Sequence, residues 1–302
     1  MGKSLFVSEE YRKGFLAAII AFLMWGSLPL FWWLLHGVTA FEIMCHRVVW
    51  SFVFILATLL FRGELGAALR IFKTPKVLLW LTLSGVLLTG NWFIYIWAIN
   101  AEMVLETSLG YYINPLLTIL AGILFFKDKG TPALWLALAL CTFGVGFQVV
   151  ALGRVPLVAL ALAVSFAAYG VIRKVVVVEA LPGLFVETAL GTLPCLGWLV
   201  WAAVQGEGHF GPQYPFWSFL LVASGVLTSL PLFLFTFGAR KIPLSIVGVL
   251  QYLSPSVAFL LGIFVFREHF DVWRFVTFAC IWSALAIYTV DSLRRIRAER
   301  QE

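Results

Sequence analysis

The sequence predicts an all-α integral membrane protein of ten transmembrane helices, arranged as two inverted five-helix repeats around a central cavity. Three observations predict it: apolar runs of spanning length, basic residues segregated to alternate loops, and an internal repeat at half the chain length. Of 302 residues, 62% are hydrophobic and 12% charged, with mean hydropathy +0.99, whereas soluble domains are about a quarter charged. A chain this apolar has too little polar surface to cover a core in water, so lipid is its solvent.

A helix needs roughly 20 residues to cross about 30 Å of hydrocarbon. Ten runs of about this length follow one another: 14–34, 39–61, 77–97, 106–126, 132–151, 157–173, 182–204, 215–237, 243–266 and 271–290. Only "KDKG" separates the fourth from the fifth, and "LGRVP" the fifth from the sixth. The N-terminal "MGKSLFVSEEYRK" is too polar for a cleavable signal, and the run after it is long enough to span. Of the 21 lysines and arginines, all but Arg47, Arg154, Arg267 and Arg274 fall on the side that holds both termini. The positive-inside rule makes that side cytoplasmic. The net charge of +6 therefore belongs to loops at one membrane face and excludes nucleic acid as a partner. Cys45, Cys141, Cys195 and Cys280 are isolated within apolar runs, with no ligand spacing. They read as small apolar fillers outside any disulfide.

The chain repeats itself, which divides it into residues 1–151 and 152–302. "SGVL" at Ser84–Leu87 recurs at Ser224–Leu227, 140 residues on, and at the same offset Tyr112, Pro115, Gly122 and Phe126 meet Tyr252, Pro255, Gly262 and Phe266. Lys127–Asp128 meets Arg267–Glu268, and Trp25–Gly26 resembles Tyr169–Gly170. Five spans per half is an odd number, so the second half enters upside down. Inverted halves can trade conformations about a midplane site.

Polar and helix-breaking residues mark that midplane. Ser108, Tyr111, Tyr112 and Pro115 stand at i, i+3, i+4, i+7 in the fourth run, as do Gly248, Gln251, Tyr252 and Pro255 in the ninth. Each proline frees the carbonyl four residues earlier, at Tyr111 or Gln251. Pro115 lies roughly 13 Å into its run at 1.5 Å per residue. A hinge or site at Pro115 and Pro255 is therefore expected. The mid-span residues Trp25, Trp92, Tyr95, Tyr111, Tyr112, Tyr169 and Tyr252, with the amides of Asn91, Asn114 and Gln251, are the cavity candidates. They suit an organic solute with an apolar or aromatic part.

Charge inside a span is costly. Arg47 lies roughly 12 Å into the second run, where an arginine costs about 2.5–3.5 kcal/mol. It is expected to face the bundle interior and seek a partner. Glu42 and His46 are i, i+4 and positioned to pair. Glu187 is the acid well inside another run, and an offset of 142 (Ala40 to Pro182) places it opposite Cys45 and His46 in the repeat. The expectation is a cluster of His46, Arg47 and Glu187 that either braces the repeats or contacts a charged part of a solute. The ordinary pKa of a histidine lies near neutral pH, which leaves proton coupling through His46 open.

The sequence resembles the RarD branch of the EamA-type transporters, in the drug/metabolite transporter superfamily, over about residues 12–292. The resemblance rests on "EIMCHRVVWS" (Glu42–Ser51), "NWFIYIWAIN" (Asn91–Asn100), "ETSLGYYINPLLTILAGILFFKDK" (Glu106–Lys129), "YGVIRK" (Tyr169–Lys174), "GLFVET" (Gly183–Thr188) and "LSIVGVLQYLSPSVAFLLGIFVFRE" (Leu244–Glu268). It implies ten helices in two inverted repeats. Spans one, three, four, six, eight and nine would line a cavity, with spans two and seven alongside. It supports Trp25, Asn91, Tyr95, Tyr111, Asn114, Tyr169, Gln251 and Tyr252 as cavity residues, and His46–Arg47 match the family's "HR" pair. It also implies a secondary carrier in the bacterial inner membrane that exports amino acids or related metabolites. The RarD name is linked to chloramphenicol sensitivity.

The competing classes are weaker. An intramembrane enzyme needs a nucleophile with a base, or clustered ligands. His36, His46, His209 and His269 are scattered, and no GxSxG or HExxH stretch occurs. No catalytic residue, cofactor or metal is expected. A channel-like facilitator or a lipid-moving protein is the alternative, and it would show a continuous polar stripe. The expected partners are a small-molecule substrate and lipid, with the chain acting as a monomer or weak dimer. "GEGHFGPQYP" (Gly206–Pro215) reads as an exposed loop without chemistry.

Overall fold

The protein is described from a computed structural model, which covers residues 9–101, 103–128, 130–153, 155–265, 267 and 272–299. Lys129, Arg154, Phe266, Glu268 and His269, named above, lie outside the described residues. The described residues form helices and no strands. In order these are α1 (Glu9–Trp33), α2 (Ala40–Phe61), α3 (Leu65–Ile71), α4 (Pro75–Asn100), α5 (Val104–Phe126), α6 (Pro132–Leu152), α7 (Leu157–Val175), α8 (Ala180–Gln205), α9 (Pro215–Lys241), α10 (Leu244–Gln251), α11 (Leu253–Phe264) and α12 (Val272–Glu299).

Local chemistry sets the helix ends. Thr39 and Thr131 cap α2 and α6, their hydroxyls accepting from the amides of Glu42 (3.3 Å) and Leu134 (3.0 Å). Gly153 and Gly206 end α6 and α8 at φ 70° and 74°, where a glycine adopts the left-handed region without strain. Asp128 accepts from the Ser245 amide and hydroxyl, both at 2.8 Å. It thus places a carboxylate at the start of α10, where the helix dipole favours it.

The ten predicted runs fall on these helices, with two departures. The ninth run is α10 and α11 with a break at Tyr252, whose amide reaches back three residues to the Val249 carbonyl (3.2 Å). Pro255 removes a bond there, and the helix opens, whereas α5 passes through Pro115 unbroken. The two prolines are mates in sequence but not in backbone geometry. The second departure is α3. This short helix between the second and third runs buries Ala68 and Ile71 and exposes Leu69 and Phe72, as an interfacial helix does.

The repeat is visible in the structure. Lys127 and Arg267, 140 residues apart, share a left-handed backbone at φ 53°. The principal contacts also come in mated pairs. α1 packs on α9 as α7 packs on α4, α2 on α9 as α8 on α4, and α5 on α7 as α11 on α1. Two pairs, α2 with α8 and α6 with α12, are each their own mate, whereas the α5–α10 contact around Pro115, Gly122, Ser245 and Gly248 has no counterpart of like extent between α5 and α11 among the described residues. Tyr252 donates its hydroxyl to the carbonyl of its own mate Tyr112 at 3.1 Å. Glycines allow these close crossings. A Cβ on Gly248 would stand 2.9 Å from the Pro115 carbonyl oxygen, and one on Gly26 would stand 2.7 Å from that of Ser254. Large apolar side chains such as Phe61 and Leu193 face outward, as lipid contact requires.

Candidate substrate site between the halves

Arg47 points inward from α2, roughly 10 Å from the helix start at 1.5 Å per residue. Its Nε donates to the Thr228 hydroxyl on α9 at 3.0 Å. Its guanidinium carbon lies 4.7 Å from the Trp32 ring centroid and 5.0 Å from that of Trp92, in cation–π range. The Tyr95 and Tyr111 rings, 5.9 Å apart, lie within electrostatic range of the same charge. Tyr111 stands at mid-span on α5 with 50% of its surface accessible, and its ring lies against Tyr95. Accessible surface on this face, beside Arg47, marks the space between these helices. Helices α1, α2, α4 and α5 of the first half and α9 of the second meet at Arg47. Two crevices elsewhere, of about 510 Å³ beside Ile113, Val149 and Leu160 and about 220 Å³ beside Phe237 and Arg240, do not include it.

The expected cluster of His46, Arg47 and Glu187 does not form. Glu187 pairs instead with Arg173 of α7, Oε1 to Nη1 at 3.5 Å, with both side chains 1% exposed. It also accepts from the Ser84 hydroxyl (2.5 Å) and from Tyr169 (3.5 Å). The guanidinium of Arg173 fills the place that a Cβ on Gly183 would take, and its Nη2 donates to the Ala180 carbonyl at 3.2 Å. The repeat register was also shifted. Gly85 and its mate Gly225 receive Glu187 and Trp50–Ser51 respectively. Glu187 therefore matches residues 50–51, not Cys45–His46.

His46 belongs to a third group. Its Nδ1 accepts from the Trp50 indole N–H at 3.2 Å. An indole nitrogen only donates, so the ring proton stands on Nε2, which lies 4.0 Å from Glu42 Oε1. Glu42 is held by the 206–214 loop: the His209 amide donates to Oε1 at 2.6 Å, and its Nδ1 stands 2.8 Å from Oε2. Phe210 packs on the His46 ring at 4.9 Å. The loop expected to carry no chemistry thus closes over a buried carboxylate. Cys45 and Cys195 are side by side, both free thiols.

The other candidates separate into wall and surface. Tyr169 (0%) and Tyr252 (1%) are fully buried, fixed by Glu187 and by the Tyr112 carbonyl. Trp25 is wedged among Phe22, Phe166 and Phe235. Asn91 bridges the halves, its amide donating to the Leu162 carbonyl (2.8 Å) and the Ser165 hydroxyl (2.9 Å). Asn114 accepts from Thr118 at 3.3 Å. The Gln251 amide oxygen, beside the α10–α11 break, is buried without a hydrogen-bond partner among the described residues. Sequence reasoning missed Trp32 and Thr228. One sits at a span end, where a tryptophan reads as a belt residue. The other is one of several small hydroxyl residues scattered along α9.

Residues 12–150 match the EamA-like transporter family, and residues 154–290 match it again. The chain belongs to this family. The two matches are the two halves already visible in the contacts. Among relatives of this EamA-like chain are an uncharacterized transporter of Vibrio cholerae, 44% identical over 97% of each chain, and Protein RarD of Escherichia coli, 38% identical over 95% of this chain and 97% of that one. The chloramphenicol-sensitive protein RarD of Pseudomonas aeruginosa is 30% identical over 95% of this chain and 97% of its own. A solved crystal structure 22% identical in sequence shares the fold, with TM-score 0.69 over 92% of this chain and 98% of that one. The chain is a multi-pass bacterial-type membrane transporter of this family.

Proposed function

We propose that this transporter is a secondary carrier working by alternating access, which exports small organic metabolites. Amino acids with aromatic or apolar side chains, related compounds and drugs make up the candidate class. The observation that carries the reading is the internal space at Arg47 and Tyr111, walled by helices of both halves. A site between two inverted repeats opens to one side when one half closes and to the other when the second half closes. The name of the Pseudomonas aeruginosa relative, chloramphenicol-sensitive, supports including drugs. The segregation of basic residues supports an inner-membrane orientation with both termini in the cytoplasm.

Solute counterflow in proteoliposomes tests this. Vesicles loaded with unlabelled amino acids should transiently accumulate labelled phenylalanine, and Gln251→Ala should weaken the overshoot. Uptake that never exceeds equilibrium would favour a channel-like facilitator. No uptake above empty vesicles would sink the amino-acid assignment.

A further inference from the structure

We propose that Arg47 is the recognition residue of the internal space, and that it takes an organic anion: a carboxylate on a flat apolar body, with no ammonium group required. The proposal rests on the carrier reading for this anion to be cargo; the binding site itself is argued from geometry.

The guanidinium has five N–H donors in a planar fork, and among the described residues only Nε is hydrogen-bonded, to Thr228. Among the described residues no acid is paired with it. Glu42 is occupied by His209, Glu187 by Arg173 and Ser84, and Glu106 accepts from the Val158 amide at 3.1 Å. The elements facing the fork, α1, α4, α5 and α9, present Trp32, Trp92, Tyr95, Tyr111 and Thr228 to it. A cation held inside a bundle without a counter-ion is a vacancy for an anion. The unused side of a guanidinium fork matches a carboxylate with two parallel bonds. The indole and phenol rings around it offer flat apolar walls, which a bare inorganic anion cannot use. A zwitterion brings an ammonium group that meets no carboxylate there among the described residues and that Arg47 repels, a cost the ring faces offset only in part. The space therefore discriminates by charge as well as by shape, and amino acids should be poorer ligands than the corresponding simple acids.

The test is direct binding to the purified full-length protein in detergent, by scintillation proximity with labelled phenylacetate, indoleacetate and hexanoate. Competition by unlabelled phenylacetate, phenylacetamide, phenylalanine and inorganic phosphate follows. The expected result is saturable binding in which phenylacetate competes at least tenfold better than its neutral amide, than phenylalanine and than phosphate. Arg47→Gln should abolish it, and Arg47→Lys should retain a weakened part. Competition by the amide equal to that of the acid overturns the proposal, as does phosphate competing as well as phenylacetate, or no binding of any of the three acids. These comparisons use the wild type and stand even if Arg47→Gln does not fold. Counterflow separates this from the carrier reading. Binding without counterflow would refute the carrier and keep the site. Counterflow of neutral or zwitterionic solutes unaffected by Arg47→Lys would refute the site and keep the carrier.

Discussion

Removing the carboxylate of Glu187 should cost more stability than almost any other single substitution in the bundle. Arg173 and Glu187 are each 1% exposed, with Nη1 and Oε1 3.5 Å apart. Arg173 has little else to hold its charge: Nη2 reaches the Ala180 carbonyl, while Nε and Nη1 have no hydrogen-bond partner among the described residues. Glu187→Gln keeps the shape, and its amide oxygen can still accept from Ser84, so the change isolates the charge. Breaking one side of a buried pair costs about 3–5 kcal/mol, because the other charge is left unpaired. Replacing both partners by neutral groups is far milder. The assay is an SDS-unfolding titration in mixed micelles on wild type, Glu187→Gln, Arg173→Met and the double variant. The double variant should recover most of the loss, with a coupling energy of about 2 kcal/mol or more. The reasoning fails if Glu187→Gln is as stable as wild type, or if the double variant is no better than the singles. Exchanging charges between Arg47 and Glu187 should rescue nothing, since Glu187 is paired elsewhere.

Other outcomes follow from single contacts. Tyr252→Phe removes the hydroxyl bond to the Tyr112 carbonyl and should cost about 1 kcal/mol in the same titration. Gly248→Val forces side-chain atoms onto Pro115 and Ile119. It should destabilise by about 1–3 kcal/mol and slow counterflow, whereas Gly146→Ala, with no atom within 4 Å of its Cβ position, should do neither. His209→Ala exposes Glu42 to loss of its ring partner; about 1–3 kcal/mol should be lost, with faster proteolysis in the 206–214 loop. Asp128→Ala removes the cap on α10 and should cost about 1 kcal/mol, which hydrogen exchange at Ser245 would detect.

The spans were legible because lipid imposes a length on every apolar run, and the repeat was legible in the fourth and ninth runs because several mates there are identical residues at one offset. The helix α3 was not, since seven residues carry too little periodicity to register. Arg173 was counted among the surface charges of one loop side, yet the chain folds it back onto Glu187. The residues themselves gave a hint, because Arg173 lies in the last turn of α7 and Glu187 stands two turns into α8, the next helix in the chain. The partner of Glu42 came from a loop rich in glycine and proline, where composition signals exposure and conceals one docking histidine. Arg47 was recognised as an inward-facing charge, but its surroundings come from five helices, and only folding brings Trp32 and Thr228 to it.

The self-mated helix pairs have a mechanical consequence. If the halves exchange conformations, each off-axis contact must become its mate: the α2–α9 interface takes on the form of α8–α4, and α1–α9 that of α7–α4. Contacts on the axis map onto themselves and have nothing to exchange. The α2–α8 and α6–α12 pairs are therefore the bearings of the machine, and the others, α5–α10 among them, are its stroke. Cross-links placed across the bearings should leave turnover intact, and those across the stroke should arrest it with one face closed.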